Sequence, residues 1–328
     1  SVNIPFGKFN IYAGVRFEHD RMELVSNTQD HQKSPTSTYY TFNDFFPSVN
    51  ATYHLTDKQQ LRLAYGKSVN RPEFREVSSS VFYDFDLSGN IQGNPNLTAC
   101  YVHNVDLRYE LYPSKSELVS VALFYKNFQN PIEWTYTVAG GTDPIYSYKN
   151  AKGAYSYGVE LDIKKSLDFI GVPDLSLVFN GALIKSKVSF DKGDQEKKRP
   201  MQGQSPYIIN TGLFYQNSRI GLSAALLYNR IGKRIVGVGR SMGSVDDNVR
   251  IPDSYEMPRN AVDINLSKKI GSHFELKLSV KDLLGESVVF KQFEDGIRLN
   301  NGTVKNAEEV TRCYKPGRNY SLSVTYNF

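Results

Sequence analysis

The stretch YGVELDIK holds two carboxylates, Glu160 and Asp162, two residues apart, the arrangement in this chain that comes nearest to a general acid–base pair. Such a dyad works when its surroundings push the two pKa values apart, by burial or by a specific charged neighbour. Here both acids alternate with Val159, Leu161 and Ile163, and Lys164 follows on their side, so they stand in a row of charges on the wet face of a strand. That pattern keeps charge in water and does not tune a catalytic pair. The five histidines, His19, His31, His54, His103 and His273, are scattered, and the sequence contains no HExxH, phosphate-binding loop or GxSxG segment. Cys100 and Cys313 lie far apart without metal-ligand spacing, which leaves a disulfide between them open. No catalytic residue, metal ligand or cofactor site is assigned, and the chain reads as a non-enzyme.

The elements that position these charges recur from end to end. Phe9, Ile11, Ala13, Val15 and Phe17 alternate with Asn10, Tyr12, Gly14, Arg16 and Glu18; Val105, Leu107, Tyr109 and Leu111 alternate with Asn104, Asp106, Arg108 and Glu110. Period two means strands with one apolar and one polar face. About twelve are predicted, over 8–18, 45–56, 59–70, 100–112, 117–128, 153–166, 174–188, 206–217, 219–232, 259–269, 273–284 and 317–328. Their polar faces carry Arg16, Arg62, Arg108, Glu110, Glu160 and Asp162, charges that need a water-filled lumen or a polar plug beside them. Composition agrees: 22 Tyr and 19 Phe against 1 Trp suit half-buried pleated surfaces. No apolar run is long enough for a membrane helix, so a membrane role must use strands. A net charge of +5 is too weak a bias to argue for nucleic acid.

Short linkers such as LTDK, PSKS and IGS alternate without a slip with long ones, about 25–44, 71–99, 129–152, 189–205, 233–258 and 285–316. Tight turns on one side and extended loops on the other are the habit of outer-membrane barrels. A tilted strand needs roughly eleven residues to cross an apolar band of about 25 Å, and most of these strands reach ten or more. Apolar faces also end in rings, as in the last stretch, NYSLSVTYNF, with Tyr320, Tyr326 and Phe328. The expected fold is therefore all-β, a transmembrane antiparallel β-barrel. A soluble carbohydrate-binding β-protein with solvated outer faces is the alternative, and its strands would be shorter.

Any ligand belongs to the long loops. One offers Phe82, Tyr83 and Asp84 with Phe85 and Asp86, the other Trp134, Tyr136 and Tyr146 with Tyr148. Such rings with a few acids suit stacking on a sugar, haem or siderophore, and equally suit packing the loops against each other. The basic stretches KGDQEKKR (192–199) and RIGKR (230–234), with Arg240, fit an anionic ligand, outer-leaflet lipid phosphate or plain solvated charge. Asn70, Arg71 and Pro72 should end a strand at the outer rim, and Gly93, Asn94 and Pro95 should turn before the next.

The segment FFPSVNATYHLTDKQQLRLAYGKSVNRPEF (45–74), then GNPNL (93–97) and NVDLRYELY (104–112), resembles the barrel of TonB-dependent receptors. VALFYKNFQNPIEW, QGQSPYIINTGLFYQ, LSVKDLLGE and RCYKPGRNYSLSVTYNF are similar to later segments of that family. The resemblance implies a 22-stranded outer-membrane barrel plugged by an N-terminal domain. It also implies TonB-powered import of a siderophore, vitamin, peptide or oligosaccharide. Against that count, residues 1–328 read as the C-terminal portion of the barrel, with the plug and first strands absent from this chain. Twelve strands also suffice to close a small barrel of their own. The implied partners are outer-membrane lipid, the nutrient, the TonB complex through the missing N-terminal region, and the barrel-assembly machinery through the terminal Phe328. A non-transporting surface adhesin or structural barrel would share the loops and the lipid face but lack the plug.

Overall fold

Alternation of apolar and polar residues builds long strands here, as a computed structural model shows for all residues except 27–35, 86–88, 139–143, 193–195, 197, 242–249 and 299–303. A hairpin of β1 (Val2–Phe6) and β2 (Phe9–Ser26) is followed by β3 (Thr36–Thr56) and β4 (Gln59–Asn70). A helical turn, α1 (Phe74–Val77), and short strands β5 (Val81–Asp84) and β6 (Gly89–Gln92) precede β7 (Cys100–Leu111) and β8 (Leu118–Gln129). Next come β9 (Ile132–Val138), β10 (Pro144–Asn150), β11 (Gly153–Ser166), β12 (Leu175–Ser189), β13 (Tyr207–Asn217) and β14 (Leu222–Ile231). The short β15 (Arg234–Gly237), β16 (Arg240–Ser241), β17 (Arg250–Ile251) and β18 (Ser254–Glu256) lead to β19 (Asn260–Ile270) and β20 (Phe274–Lys281). A hairpin of β21 (Val288–Arg298) and β22 (Val304–Tyr314) comes before β23 (Asn319–Tyr326).

Thirteen strands form one antiparallel sheet in the order β1-β2-β3-β4-β7-β8-β11-β12-β13-β14-β19-β20-β23. Its edges, β1 and β23, do not pair with each other, so the wall is an open part of a barrel. All twelve expected strands are present, and β1 is added. Five residues with a proline give a weak period, and Pro5, opposite Asn10 on an edge strand, has no N–H for a further ladder. The linker expected over 25–44 is mostly strand, because β2 runs on to Ser26 and β3 starts at Thr36. There the period breaks in the sequence, with Glu18, Asp20, Arg21 and Glu23 crowding one segment and the adjacent pairs Tyr39–Tyr40 and Phe45–Phe46 interrupting the other. Other expected loops also hold strands, in two four-stranded sheets, β5-β6-β10-β9 and β15-β18-β21-β22. Cys100 is buried and Cys313 exposed, and both are free thiols.

The register lines up one face. Leu63, Leu107, Leu123, Val159 and Leu183 stand side by side across five strands. All five are exposed, from 39% for Leu107 to 68% for Leu183. A soluble monomer does not leave so continuous an apolar band in water, whereas lipid covers it at no cost. Leu123→Arg is expected to destabilise the folded protein in lipid vesicles by about 2–4 kcal/mol, the cost of a cation near the bilayer midplane. The urea midpoint reads this, and an unchanged midpoint would mean that this face meets water.

Candidate functional site

On the opposite face the charges form a network. Arg62 and Arg108 are direct cross-strand neighbours, an unfavourable pairing that each relieves with its own acids. Arg62 lies 3.6 Å from Glu110. Arg108 crosses β8 to reach Glu160 at 3.6 Å and Asp162 at 3.4 Å on β11. The crossing is possible because β8 presents only Ala122 and Ser120 there, 3% and 0% exposed. Asp162 accepts from Asn180 at 2.6 Å, Asn180 is the ladder mate of Asn210, and Asn210 accepts from Asn229 at 2.6 Å. A row of polar and charged side chains, linked in part by hydrogen bonds and ion pairs, thus lies across the strands from β4 to β14. Five of the six charged residues expected on this face, Arg62, Arg108, Glu110, Glu160 and Asp162, come together in it.

Arg16 belongs elsewhere, 2.9 Å from Glu18 and over the ring of Phe46 at 5.2 Å. The β2–β3 and β4–β7 ladders continue upward, but the β3–β4 ladder stops at Ser48↔Gly66. Side chains fill the wedge above that rung. From the end of β4, Arg71 donates to Glu18 at 2.9 Å and to Asp44 at 3.0 Å, and lies 3.7 Å from Asp20. Tyr101 donates to Asp44 at 2.6 Å, and Phe42 supports the guanidinium at 5.6 Å. Sequence reasoning placed Arg71 as a strand end and missed this role. The available signal was an arginine before a proline at a rim, opposite strands whose acids continue the alternation.

A roof forms at the loop end of the wall, where the two aromatic loops combine. β6 and β10 pair in parallel, Asn90 with Ile145 and Ile91 with Tyr146, so the loops make one sheet. Its ladder puts Phe82, Ile91, Tyr146 and Tyr136 in one row. The Tyr136 side chain and Asp86 lie outside the described residues. Trp134 packs on Tyr148 at 4.6 Å and meets Tyr146 edge-on at 6.3 Å, while Arg75 sits over Phe82 at 5.1 Å. These rings pack the roof together, and Asp84 is half-buried beside them. Burial pushes the Tyr148 hydroxyl up, with Glu76 and Glu73 adding to it. Tyr83 and Phe85 point away, 51% and 86% exposed, and meet edge to face at 5.1 Å.

Two ties hold the roof down. Asn94 donates from its backbone to Glu76 at 2.6 Å and from its side chain to the Tyr148 carbonyl at 2.9 Å, at the turn expected for Gly93–Asn94–Pro95. Arg199 donates to Glu133 at 2.7 Å, with both side chains nearly buried, and stacks on Phe190 at 5.6 Å. Burial pushes the Glu133 carboxyl up, and Arg199 pulls it back. The basic stretch 192–199 is thus partly a structural tie rather than free charge, since Lys149 also pairs with Glu196 at 3.2 Å. In the second stretch, Arg234 pairs with Glu256 at 2.7 Å, and Lys233 lies 4.9 Å from the rings of both Tyr255 and Phe293. The Arg240 side chain is outside the described residues.

Residues 1–283 match the family described as TonB dependent receptor-like, beta-barrel. The chain belongs to the TonB-dependent receptor family. Solved structures agree on the fold. A variant of the ferric enterobactin receptor from Pseudomonas aeruginosa superposes with a TM-score of 0.63 at 17% identity, covering 99% of this chain and 44% of that one. The siderophore receptor PirA from Acinetobacter baumannii gives 0.61 at 17%, covering 99% and 44%. The ferric yersiniabactin uptake receptor FyuA from Yersinia pestis gives 0.61 at 17%, covering 98% and 44%. The chain therefore spans less than half the length of these structures. No curated protein matches it. As a TonB-dependent receptor barrel, the wall lies in the bacterial outer membrane, with the exposed apolar Leu63–Leu183 row on one face and the charged row on the other.

Proposed function

We propose that the chain is the C-terminal portion of the barrel of an outer-membrane receptor that imports a ferric siderophore, with energy delivered through TonB. The observation carrying this reading is the pairing, on one wall, of a lipid face with a charge-lined polar face under a built roof. A barrel with only a structural role has no use for Arg108 spanning β8 to two acids, nor for a roof that buries Ile91 to 2% exposure. The ferric-chelate class is supported by the solved relatives, whose names specify ferric enterobactin and ferric yersiniabactin. In this reading the plug and the TonB-contacting segment belong to a part of the receptor outside these residues.

The test uses the full-length receptor in a strain lacking its own siderophore receptors. Radioiron accumulation from a panel of ferric siderophores that requires TonB is the expected result. Binding without TonB-dependent accumulation would support the non-transporting barrel instead. We place first contact with the ligand at the exposed pair Tyr83 and Phe85. Removing both rings, Tyr83→Ala with Phe85→Ala, should weaken binding by about tenfold while leaving the folded barrel's gel migration unchanged. Unaltered affinity would move the contact to the polar wall.

A further inference from the structure

The basic stretch RIGKR is divided between the two faces of the wall. Arg230 lies opposite Asn260 in the β14–β19 ladder, and Arg234 lies opposite Glu256 in the β15–β18 ladder, so the second ladder continues the first in the same register. The alternation of faces therefore carries through from β14 into β15. Arg230 and Arg234 fall on the side of the exposed Leu226. Lys233 and Ile235 fall on the side of Asn229, the face of the charged row, and Tyr255 joins them as the ladder mate of Ile235. On β21, Lys291 is opposite Tyr255, so Phe293, two residues on, shares this face.

The cations here are held in different ways. Arg234 donates twice to Glu256, and Arg259 pairs with Asp282 at 2.7 Å, so a carboxylate meets each charge. Lys233 is exposed, and its ammonium rests 4.9 Å from the centres of both Tyr255 and Phe293, rings that meet at 5.8 Å and 68°. A ring face attracts a cation through its quadrupole without cancelling the charge, and at an exposed site the hold is weak. The ammonium can therefore leave one ring for an anion, and the uncovered face can take a flat ring in offset stacking. A ferric tris-catecholate brings both, phenolate oxygens that accept from the ammonium and the aromatic rings that carry them. A neutral tris-hydroxamate chelate brings neither. Resting on the reading of the chain as part of a ferric-siderophore importer, we infer that Lys233, Tyr255 and Phe293 form a subsite that selects an anionic, aromatic-armed chelate, with Lys233 setting the preference for charge.

The test is equilibrium binding of radioiron chelates to the purified full-length receptor at several salt concentrations. The probes are a ferric tris-catecholate, a neutral ferric tris-hydroxamate and a cationic one. The wild type should prefer the tris-catecholate by about tenfold or more, and Lys233→Ala should remove about tenfold of that affinity and flatten its salt dependence. Binding of the neutral chelate should change less than about twofold, and Lys233→Arg should keep the preference. Lys233→Gln gives the same readout where the alanine variant does not fold. Full affinity of the variant for the tris-catecholate, a loss with the salt dependence unchanged, or a wild type that binds the neutral or cationic chelate as tightly would each overturn the inference. A receptor that binds none of the three chelates overturns the import reading itself.

Discussion

Arg71→Ala should lower the stability of the full-length receptor in lipid vesicles by about 3–5 kcal/mol, the cost of breaking a buried ion pair from one side. Arg71 is paired with three acids, Glu18, Asp20 and Asp44. Asp44 is nearly buried and, among the described residues, keeps only the Tyr101 hydroxyl once the guanidinium is gone, while Asp20 is half exposed and contributes less. Because the β3–β4 ladder ends at Ser48↔Gly66, no backbone pairing holds the wedge in place of the side chains. The measurement is the urea midpoint, with Arg71→Lys as a partner that restores the charge without the fork. Lysine should recover part of the loss, since it cannot serve Glu18 and Asp44 with two parallel donors. A change below about 1 kcal/mol for alanine would mean that the wedge is hydrated like an exposed ion pair.

Gly93→Ala should displace the roof while leaving the barrel intact. A Cβ at this position would lie 2.3 Å from the Ser78 carbonyl oxygen, 2.5 Å from the Arg75 carbonyl oxygen and 2.7 Å from the Ser78 nitrogen. All three are backbone atoms, so no side-chain rotation relieves the contact and the segment after α1 must move. Overpacking of this kind costs about 3 kcal/mol. Moving the segment also strains the bonds from Asn94 to Glu76 and to Tyr148 that tie the roof together. The expected result is rapid proteolytic cleavage within 71–99 on intact cells, with heat-modifiable migration unchanged. Ser78→Gly should not rescue it, because the clash is with backbone; rescue would place the obstruction in the side chain instead.

How far residues could be read in advance differs between the wall and what is built on it. The alternation at Phe9–Phe17, at Val105–Leu111 and at Val159–Ile163 predicted strands that the sheet contains, because in a strand the face of each side chain depends only on its position in the run. The same local rule put Arg108, Glu160 and Asp162 on one side. It failed at β1 and in the upper parts of β2 and β3, where a proline, a crowd of charges or adjacent aromatic pairs break the apolar period. It was silent on the loops, where Phe82, Trp134 and Tyr146 turned out to pack a shared sheet.

By itself, then, the sequence determined the strand class, the two faces of the wall, its tight and long connections and the family resemblance, all of which follow from periodicity and order along the chain. Only the tertiary structure decided which residues meet. Arg71 with Asp44, Arg199 with Glu133, and β6 alongside β10 join segments that no local period relates. The physical reason is that a side chain's face follows from a two-residue repeat, whereas an ion pair or a parallel ladder depends on the register between distant strands, and that register is set by the whole sheet at once.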